Sequence, residues 1–414
     1  MERLEDLLKE YERYQKMNLS LDMTRGKPCK EQLNLSMKMM DVLNSDANLN
    51  CEDGIDCRNY GVLGGIEECK RLLGDIIEVP SSNIIIFGNS SLNVMYELIS
   101  DAFHFGILGS TPWSRLPKIK WLCPVPGYDR HFAITEAFGI EMIKIPMNED
   151  GPNMNMIESL VKNDESIKGI WCVPKYSNPD GITYSEEVVK RFARLKPKAK
   201  DFRIFWDNAY SVHHLYEDKQ DFLLELVEEC RKAGNPDLVY KFTSTSKISF
   251  PGSGIAALAA SDANLKEVKK HMAIKTIGYD KVNQLRHVRF FKDLNGIKEQ
   301  MRKHAAILRP KFELVEKILE DNISNIARFN KPRGGYFISL YVDGCAREVI
   351  ARAKECGVRF TEAGSSYPYH LDPSNSNIRI APSFPSLDEL KIGMEVLCLC
   401  VKIETILKKT KINN

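Results

Sequence analysis

The feature that most constrains the fold of this chain is an alternation of short apolar runs with helical stretches between residues 80 and 260. The runs are rich in β-branched and aromatic residues, which favours strands. Strands that alternate with helices predict an α/β domain with a mainly parallel sheet. Several runs are apolar at both alternating positions, as in strands covered by helices on both faces. The runs are NIIIF (83–87), KWLCPVP (120–126), EMIKIPM (141–147), KGIWCVP (168–174), RIFWDNA (203–209), LVYKFT (238–243) and GIAALAA (254–260).

The pattern changes from about residue 290 onwards, where long charged helices enclose short strands. This change predicts a second, smaller α+β domain. The helices are expected at roughly 296–321, 346–356 and 386–408, and the strands at 334–342 and 377–383.

The N-terminal residues 1–16 carry an apolar stripe at helical spacing, which indicates a helix that packs on a partner surface. A chain of 414 residues is long enough for two or three domains. We expect an N-terminal arm with part of the small domain (1–50), a large domain (51–295) and a C-terminal small domain (296–414).

Composition excludes several classes of partner. The chain has 58 Lys and Arg against 56 Asp and Glu, a net charge of +2, which argues against a nucleic-acid-binding protein. The eleven cysteines contain no CxxC pair, so neither a zinc site nor a disulfide framework is indicated. No signal-peptide core or membrane-spanning run is present. We expect a cytoplasmic protein with no metal, whose partners are small molecules or copies of itself.

Polar residues follow the ends of four predicted strands, at GNSS (88–91), PGY (126–128), SNPDG (177–181) and DNAY (207–210). Ligands of open α/β sheets bind beyond the carboxyl ends of the strands. The sequence therefore predicts a binding site built from these four segments.

Lys247 lies among small hydroxyl residues in FTSTSKISFPGSG (242–254), after an apolar strand and before a Pro/Gly turn. A lysine acts as a covalent catalyst when its amine forms a Schiff base with a carbonyl, and pyridoxal phosphate is the commonest such aldehyde. A solvated loop lysine is the alternative for Lys247 considered alone.

Asp207 ends the strand RIFWD, where a bare charge is costly without a partner. In a pyridoxal site that partner is the protonated pyridine nitrogen, whose charge makes the ring an electron sink. Tyr210 follows and could contact the 3-oxygen of the cofactor. The alternatives are a capping aspartate and a tyrosine that only packs.

Four further segments fit the same site. Ser90 and Ser91 open a predicted helix, whose free amides suit a phosphate, although plain N-capping explains them equally well. Asn178 points into the cleft or forms an ordinary Asn-Pro turn. Tyr128 could stack on a flat cofactor or belong to the core. Arg379, inside the apolar strand NIRIAPS, suits a carboxylate or a structural ion pair.

The chain resembles the fold-type I pyridoxal-phosphate aminotransferases, and in particular their type Ic aspartate aminotransferase subgroup. The resemblance covers nearly the whole chain and implies a large domain with a mainly parallel seven-stranded sheet, plus a smaller α+β domain. It is carried by LDMTRGKP (21–28), CPVPGYDRHFAITEAFGIEM (123–142), IKGIWCVPKYSNPDG (167–181), FRIFWDNAY (202–210), TIGYDKVNQLRHVRF (276–290) and NIRIAPSFPS (377–386).

The resemblance implies a role for each residue of the predicted site. The catalytic set is Lys247 as the Schiff-base lysine, Asp207 as the partner of the pyridine nitrogen and Tyr210 as the partner of the 3-oxygen. For the cofactor, the resemblance implies that Tyr128 stacks on the ring, and that Ser90, Ser91 and Ser244 hold the phosphate together with Tyr60 from a second subunit. Asn178 would contact the 3-oxygen and the substrate carboxylate. Arg379 would bind the α-carboxylate of the substrate, and Gly26 would lie beside the substrate.

Two departures from the family pattern stand out. Most class I aminotransferases have an arginine a few residues past the lysine to neutralise the phosphate, and ISFPGSGIAALAA (248–260) has none. Arg25, Lys27 and Lys175 are candidate substitutes that the sequence does not separate. Asp180 replaces the usual threonine of the NPTG motif, a change we expect a turn to tolerate.

The implied reaction moves an amino group from an α-amino acid, such as L-aspartate or another dicarboxylic or broad-range donor, to a 2-oxo acid such as 2-oxoglutarate. The implied unit is a homodimer with shared active sites. A second cation should meet the side-chain carboxylate of the donor. The sequence offers Arg25, Lys27, Lys175, Arg130 and Arg286 for this role.

Other readings remain open at this point. The same scaffold supports β-lyase chemistry and other pyridoxal reactions, because the same residues serve them. An aminotransferase-like regulator would need a DNA-binding module that the first 80 residues do not suggest. A nucleotide-binding protein lacks its glycine pattern. The adjacent His213 and His214 could suggest a metal, but we expect them to face solvent.

Overall fold

The computed structural model describes residues 3–413, with side chains as far as residue 410. Its largest unit is a central sheet with helices on both faces. Its strands β1–β13 are Leu21–Asp22, Ile84–Ile86, Lys120–Val125, Glu141–Asn148, Gly151–Pro152, Ile167–Cys172, Arg203–Asp207, Val239–Ser244, Ala256–Ala259, Arg328–Phe329, Ile338–Tyr341, Val358–Arg359 and Asn377–Ile380. The helices α1–α13 are Leu4–Lys16, Lys30–Asn34, Glu67–Ile77, Ser91–Phe105, Asp129–Ala137, Met154–Asn163, Glu186–Ala193, Leu226–Lys232, Asp262–Lys275, Lys281–Phe291, Leu294–Ile323, Ala346–Glu355 and Leu387–Asn413.

The central sheet has the strand order β2-β9-β8-β7-β6-β3-β4-β5. The pairs among β8, β7, β6, β3 and β4 are parallel, whereas β9 runs antiparallel to both its neighbours. The seven predicted strands are all present. The structure adds β5, a two-residue edge strand antiparallel to β4, as an eighth. The prediction of a mainly parallel sheet is confirmed.

Alternate residues of the central strands enter different hydrophobic cores. On β7, Phe205 packs with α4 and α9, while Ile204 and Trp206 pack with α6, α7 and α8 on the other face. All three side chains are buried. A strand buried on both faces has no solvent-facing side, which explains the continuous apolar runs in the sequence.

The small domain is built on the three-stranded antiparallel sheet β10-β11-β13, against which α11, α12 and α13 pack. The N-terminal arm joins it, because β1 pairs in parallel with β12. We expected helix α1 to pack on a partner surface, but it packs on this domain of its own chain. Tyr11 and Tyr14 of α1 donate hydrogen bonds to Glu355 and Glu395, at 2.6 and 3.1 Å.

The parallel strands bring their carboxyl ends to one edge of the central sheet. The segments after β2, β3, β6, β7 and β8 therefore meet at this edge, as the rule for open α/β sheets predicts. The small domain closes the same edge from above, through residues that follow α11. The eleven cysteines are free and buried, so none is available as an exposed thiol.

Candidate functional site

A cavity of about 180 Å³ lies at the carboxyl edge of the central sheet. It collects residues from every strand end singled out in the sequence. Of the predicted site residues, Tyr60 and Arg379 alone are absent from its lining. The lining residues are Gly26, Ser90, Ser91, Leu92, Tyr128, Val173, Asn178, Asp207, Ala209, Tyr210, Ser244, Ser246, Lys247 and Phe337.

Lys247 ends a single 3-10 turn, Thr245–Lys247, directly after β8. Its side chain is half-buried and its Nζ lies 4.8 Å from the centre of the Tyr210 ring. Burial lowers the pKa of the Lys247 amine, and the nearby charge of Asp207 opposes this shift. A lowered pKa leaves more of the amine neutral near pH 7, and the neutral form is the nucleophile.

Asp207 is the last residue of β7 and is buried, with a side chain 6% exposed. Its Oδ2 lies 3.1 Å from His131 Nε2, which donates if that nitrogen carries the proton. Its Oδ1 has no hydrogen-bond partner. A buried carboxylate oxygen without a partner is costly. The arrangement therefore fits a ligand that brings a protonated nitrogen to Oδ1, as pyridoxal phosphate does.

His131, on α5, is a site residue that the sequence did not reveal. It is buried, and its ring stacks on Trp171 of β6 with centroids 4.6 Å apart and planes 16° apart. The stacked ring fixes the orientation of Nε2 and so holds the Asp207 carboxylate. No local pattern marks His131, because its partner lies 76 residues away.

Two tyrosines face the cavity. Tyr210 is buried, and burial raises its pKa well above the ordinary value, with the neighbouring Tyr128 and Asp207 adding to the effect. Burial also raises the pKa of Tyr128 to about 12. Both phenols therefore stay protonated near neutral pH and can donate hydrogen bonds. Tyr128 precedes α5 and packs edge-on against His131, with centroids 4.9 Å apart.

Hydroxyl groups gather at the N-terminus of α4. Ser90 caps this helix, because its Oγ accepts from the Leu92 amide at 3.2 Å, and Ser91 is the first helical residue. Ser244 and Ser246 reach the same place, where Ser246 Oγ donates to the Asn89 carbonyl at 2.8 Å. Helix amides and hydroxyls together form a suitable phosphate site.

Ser246 is a second residue that we did not assign to the site from sequence. Its Oγ lies 2.5 Å from Ser244 Oγ, and both line the cavity. Its position next to Lys247 in the sequence made it a candidate. The sequence pattern alone does not indicate which of the neighbouring hydroxyl groups line the cavity.

The cations proposed for the phosphate do not line this cavity. Arg25 and Lys27 line a neighbouring larger cavity. Lys175 Nζ donates to the Ser211 carbonyl at 3.0 Å, and burial lowers its pKa to about 8. Among the lining residues of the described chain, Lys247 is the single cation.

Arg379 lies in β13 and projects toward Asn178 from the small domain. Its Nη1 contacts Asp129 Oδ1 at 2.9 Å and Asn178 Oδ1 at 3.4 Å. Its Nε has no hydrogen-bond partner, and its side chain is 7% exposed. Its Nη2 donates to Thr361 Oγ1 at 3.3 Å, so Nε is the one guanidinium nitrogen without a partner among the described residues.

Arg379 lines a second, larger cavity of about 630 Å³ that adjoins the first at Gly26, Tyr128 and Phe337. Gly26 has no room for a side chain, because a Cβ would lie 2.4 Å from the Phe337 ring. This cavity is rich in cations. Those in its lining besides Arg379 are Arg25, Lys27, Arg130, Lys354 and Arg359, together with His370.

Tyr60 lies away from both of these cavities in this chain. It is 81% exposed and lines a separate surface cleft with Ile277 and Tyr279. Ile274 and Ile277 are also exposed, by 74% and 61%. The structure of one chain therefore does not bring Tyr60 to Lys247.

The expectation that His213 and His214 face solvent was wrong for His213. His213 is 3% exposed and packs edge-on against Tyr210 and Tyr336. His214 Nδ1 lies 2.7 Å from the Tyr176 hydroxyl.

Among the described residues, no group of three His, Cys, Asp or Glu side chains could hold a metal ion. No helix in that part of the chain is long and apolar enough to cross a membrane.

Comparison with known proteins identifies the family of the chain. A family model described as aspartate amino-transferase matches residues 2–412. An aspartate aminotransferase of Corynebacterium glutamicum is 45% identical over 401 residues, which cover 96% of this chain and 92% of that protein.

Solved structures agree in the same way. The crystal structure of an aspartate transaminase from Corynebacterium glutamicum matches with a TM-score of 0.94 at 45% identity, covering 97% of this chain and 95% of that chain. An α-aminoadipate aminotransferase of Thermus thermophilus, complexed with N-(5'-phosphopyridoxyl)-L-leucine, matches with a TM-score of 0.76 over 97% of this chain and 95% of that chain. At 17% identity the second likeness shows the shared fold alone.

The matches extend from end to end of the chain, and the cavity holds a lysine, an unpaired aspartate oxygen and a hydroxyl-lined helix terminus. This combination fits the cofactor of the family. The chain therefore belongs to the aspartate amino-transferase family, and it is a transaminase that uses pyridoxal phosphate.

Proposed function

We propose that the chain transfers the amino group of L-aspartate, or of a related dicarboxylic or broad-range donor, to a 2-oxo acid such as 2-oxoglutarate, with Lys247 as the Schiff-base lysine. The observation that carries the proposal is the unpaired Asp207 Oδ1 in the same cavity as the Lys247 amine. The choice of aspartate is supported by the 45% identity to an aspartate aminotransferase.

The cofactor would be held at four places. Asp207 Oδ1 would accept from the pyridine nitrogen, Tyr210 would donate to the 3-oxygen, and Tyr128 would cover the ring. Ser90, Ser91, Ser244 and Ser246 would hold the phosphate together with the amides of α4. Pyridoxal phosphate, when bound, supplies an aldehyde for the lysine amine and a protonated ring that withdraws electrons from the substrate.

Lys247 has two tasks in this proposal. Its amine would hold the aldehyde of the cofactor in the resting enzyme, and the freed amine would take a proton from the substrate Cα as a general base. Both tasks need a neutral amine, which the lowered pKa of Lys247 favours. The Tyr210 ring lies 4.8 Å from the amine and limits the directions in which it can move.

Arg379 orients the substrate. Its Nη1 contacts Asn178 and its side chain lines the larger cavity, where the guanidinium would bind the α-carboxylate of the amino acid. Phe337 packs beneath the guanidinium, with the Cζ atom 5.0 Å from the ring centre, and contacts Gly26. A substrate held by its carboxylate presents its Cα toward Lys247.

The side chain of a dicarboxylic donor would extend into the larger cavity. Of the five cations considered from sequence, Arg25, Lys27 and Arg130 line this cavity, whereas Lys175 and Arg286 do not. Lys27 Nζ lies 3.9 Å from the centre of the Phe384 ring, so it already has a partner. We propose Arg25 and Arg130 as the residues that meet the distal carboxylate.

The working unit in this proposal is a cytoplasmic homodimer with shared sites. The exposure of Tyr60 beside Ile274 and Ile277 supports this, because a partner subunit would cover these apolar side chains. Tyr60 would then reach the phosphate of the neighbouring site.

Product analysis tests the proposed reaction. The purified chain with pyridoxal phosphate, L-aspartate and 2-oxoglutarate should form glutamate and oxaloacetate in equal amounts, and Lys247→Ala should abolish this. Release of ammonia with pyruvate from a donor that has a leaving group would instead identify a β-lyase. No turnover of any amino acid, combined with tight binding to duplex DNA, would identify a regulator.

A further inference from the structure

A buried histidine on α11 contacts the main chain directly after Lys247. His304 Nε2 lies 3.1 Å from the carbonyl oxygen of Ile248, the residue directly after Lys247. His304 and Ile248 are each 1% exposed. His304 lies outside the lining of the Lys247 cavity, so it does not touch the cofactor site directly.

The partners of His304 define which of its nitrogens carries the proton. Its Nδ1 lies 2.9 Å from Gln32 Nε2, an amide nitrogen that can only donate. Nδ1 must therefore accept, and Nε2 carries the hydrogen that is donated to the Ile248 carbonyl. Gln300 Nε2 lies farther from the same ring nitrogen, at 3.5 Å, and donates to Ser36 Oγ at 3.0 Å. Burial agrees with a neutral ring, since it lowers the pKa of His304 to about 4.

The side-chain amide of Gln32 is fixed in one orientation by its hydrogen bonds. Its Oε1 accepts from the Cys29 amide at 3.1 Å, so the nitrogen must face His304. The same nitrogen donates its second hydrogen to the Tyr336 hydroxyl at 3.0 Å. Gln32 is fully buried on α2, which follows the Gly26 loop directly. The bridge therefore connects the lysine segment with the N-terminal arm.

A second buried histidine gives a useful contrast. His287 Nε2 lies 2.8 Å from Ser249 Oγ, and its Nδ1 lies 2.8 Å from the Asn283 carbonyl of its own helix. The same Nε2 lies 3.2 Å from Thr245 Oγ1, so His287 contacts side chains two residues before and two residues after Lys247. His304 instead binds the main chain of the adjoining residue and is itself oriented by a second buried group.

We propose that His304 is a positioning residue for Lys247, held by Gln32 in the tautomer that binds the Ile248 carbonyl. The proposal rests on the proposed function, in which Lys247 is the amine that binds the cofactor. An anchored carbonyl keeps the 3-10 turn closed and the amine against Tyr210.

The consequence concerns the protonation of the Lys247 amine. The charged or titratable groups around it are Asp207, Tyr128, Tyr210 and His213. Without the His304 bond, the turn loosens and more water reaches the amine, so its pKa rises toward the ordinary value of lysine. A smaller fraction of the amine is then neutral near pH 7.

The rate of cofactor uptake measures this fraction without any substrate. Cofactor-free chain is mixed with pyridoxal phosphate between pH 6 and 10, and the visible Schiff-base absorption is followed in time. For His304→Leu the midpoint of the rate against pH should move upward, and the rate at pH 7 should fall about tenfold for each unit of movement. His304→Gln keeps an amide donor near Nε2 and should restore most of the rate.

Two further variants separate positioning from packing. His271 is a buried histidine on α9 that stacks on Phe105 at 4.4 Å, so His271→Leu removes comparable packing far from the lysine. It should leave the uptake profile unchanged. Gln32→Met breaks the bridge on its other side and should move the midpoint in the same direction as His304→Leu, by less.

Each outcome decides the proposal. Unchanged midpoints in His304→Leu and Gln32→Met, or an equal movement in His271→Leu, would overturn it. If His304→Leu does not fold, Gln32→Met tests the proposal alone, and an unchanged midpoint in that variant would overturn it. A wild-type chain that forms no Schiff base at Lys247 would instead refute the proposed function on which the inference depends.

Discussion

The two carboxylate oxygens of Asp207 have different surroundings. Oδ2 is held by His131, while Oδ1 is buried without a partner. Asp207→Asn should lower kcat roughly 10- to 100-fold, because a neutral amide loses a charge-assisted hydrogen bond to the cofactor nitrogen. Steady-state assays with aspartate measure this.

Asp201 offers a matched control for that variant. It is a buried carboxylate paired with Lys168 at 2.7 Å, just before β7 begins. Asp201→Asn should reduce stability and leave kcat within about twofold of wild type, since removal of one partner of a buried ion pair affects the fold. Equal losses of kcat in the two variants would contradict the role given to Asp207.

Donor choice is the second prediction at the residue scale. Arg25→Gln and Arg130→Gln should each lower kcat/KM for aspartate by about tenfold or more, because a charged hydrogen bond to the distal carboxylate is lost. The value for alanine, which has no distal carboxylate, should change little. Lys175→Gln serves as the control outside the cavity. A parallel loss for both donors would show that neither arginine selects dicarboxylates.

At the scale of elements, helix α4 combines a structural cap with a proposed phosphate site. Ser90→Ala should cost about 1 kcal/mol of unfolding free energy, because the Leu92 amide loses its acceptor. It should also weaken pyridoxal phosphate binding. Ser185 caps α7 in the same way, through the Val188 amide, but lies outside the cavity. Ser185→Ala should therefore match the loss of stability, measured by denaturant unfolding, and keep the affinity for the cofactor.

The strands and their carboxyl ends were predictable from the sequence because they depend on local pattern. The apolar run 203–209 contains β7, and the run 238–243 covers β8 except for its last residue, Ser244. The rule for open sheets then predicted that DNAY (207–210), at the end of β7, belongs to a binding site.

Long-range partners were not predictable in this way. His131 meets Asp207 across 76 residues, and His304 meets Ile248 across 56, so no local pattern marks either. The sequence did not predict that α1 packs on the small domain of its own chain. An apolar stripe indicates that one face of a helix is buried, but it does not indicate which surface covers that face. The sequence also offered no correct candidate for a cation in the cavity lining, since Arg25, Lys27 and Lys175 all lie outside it.

For the molecule as a whole, buried neutral histidines predict a loss of stability in acid. Burial lowers the pKa of His287 and His304 from 6.5 to about 4, so between these values the unfolded chain binds more protons than the folded one. Stability should fall as the pH drops through this window, with each histidine adding a slope of at most about 1.4 kcal/mol per pH unit.

Glu316 acts in the opposite direction, since burial raises its pKa to about 7. The contribution of one histidine is therefore best isolated by difference. Denaturant unfolding of wild type and His304→Gln at pH 7.5, 6 and 5 should give a shallower dependence for the variant. Identical slopes would mean that His304 does not resist protonation in the fold.

Shared active sites can be tested by mixing subunits. A Tyr60→Phe chain keeps Lys247, and a Lys247→Ala chain keeps Tyr60, so one site of each mixed dimer would have both residues. Activity per mixed dimer should rise to about half that of wild type, above the residual activity of Tyr60→Phe alone. No gain in purified mixed dimers would contradict a contribution of Tyr60 across the interface.

The most direct test of the central claim is the visible spectrum of the purified chain, reconstituted with pyridoxal phosphate, before and after addition of L-aspartate alone. We predict a yellow Schiff-base band that Lys247→Ala lacks, and its conversion by aspartate to the pyridoxamine form. A band that aspartate leaves unchanged would contradict the proposed donor. No band in the reconstituted wild type would contradict the assignment of Lys247.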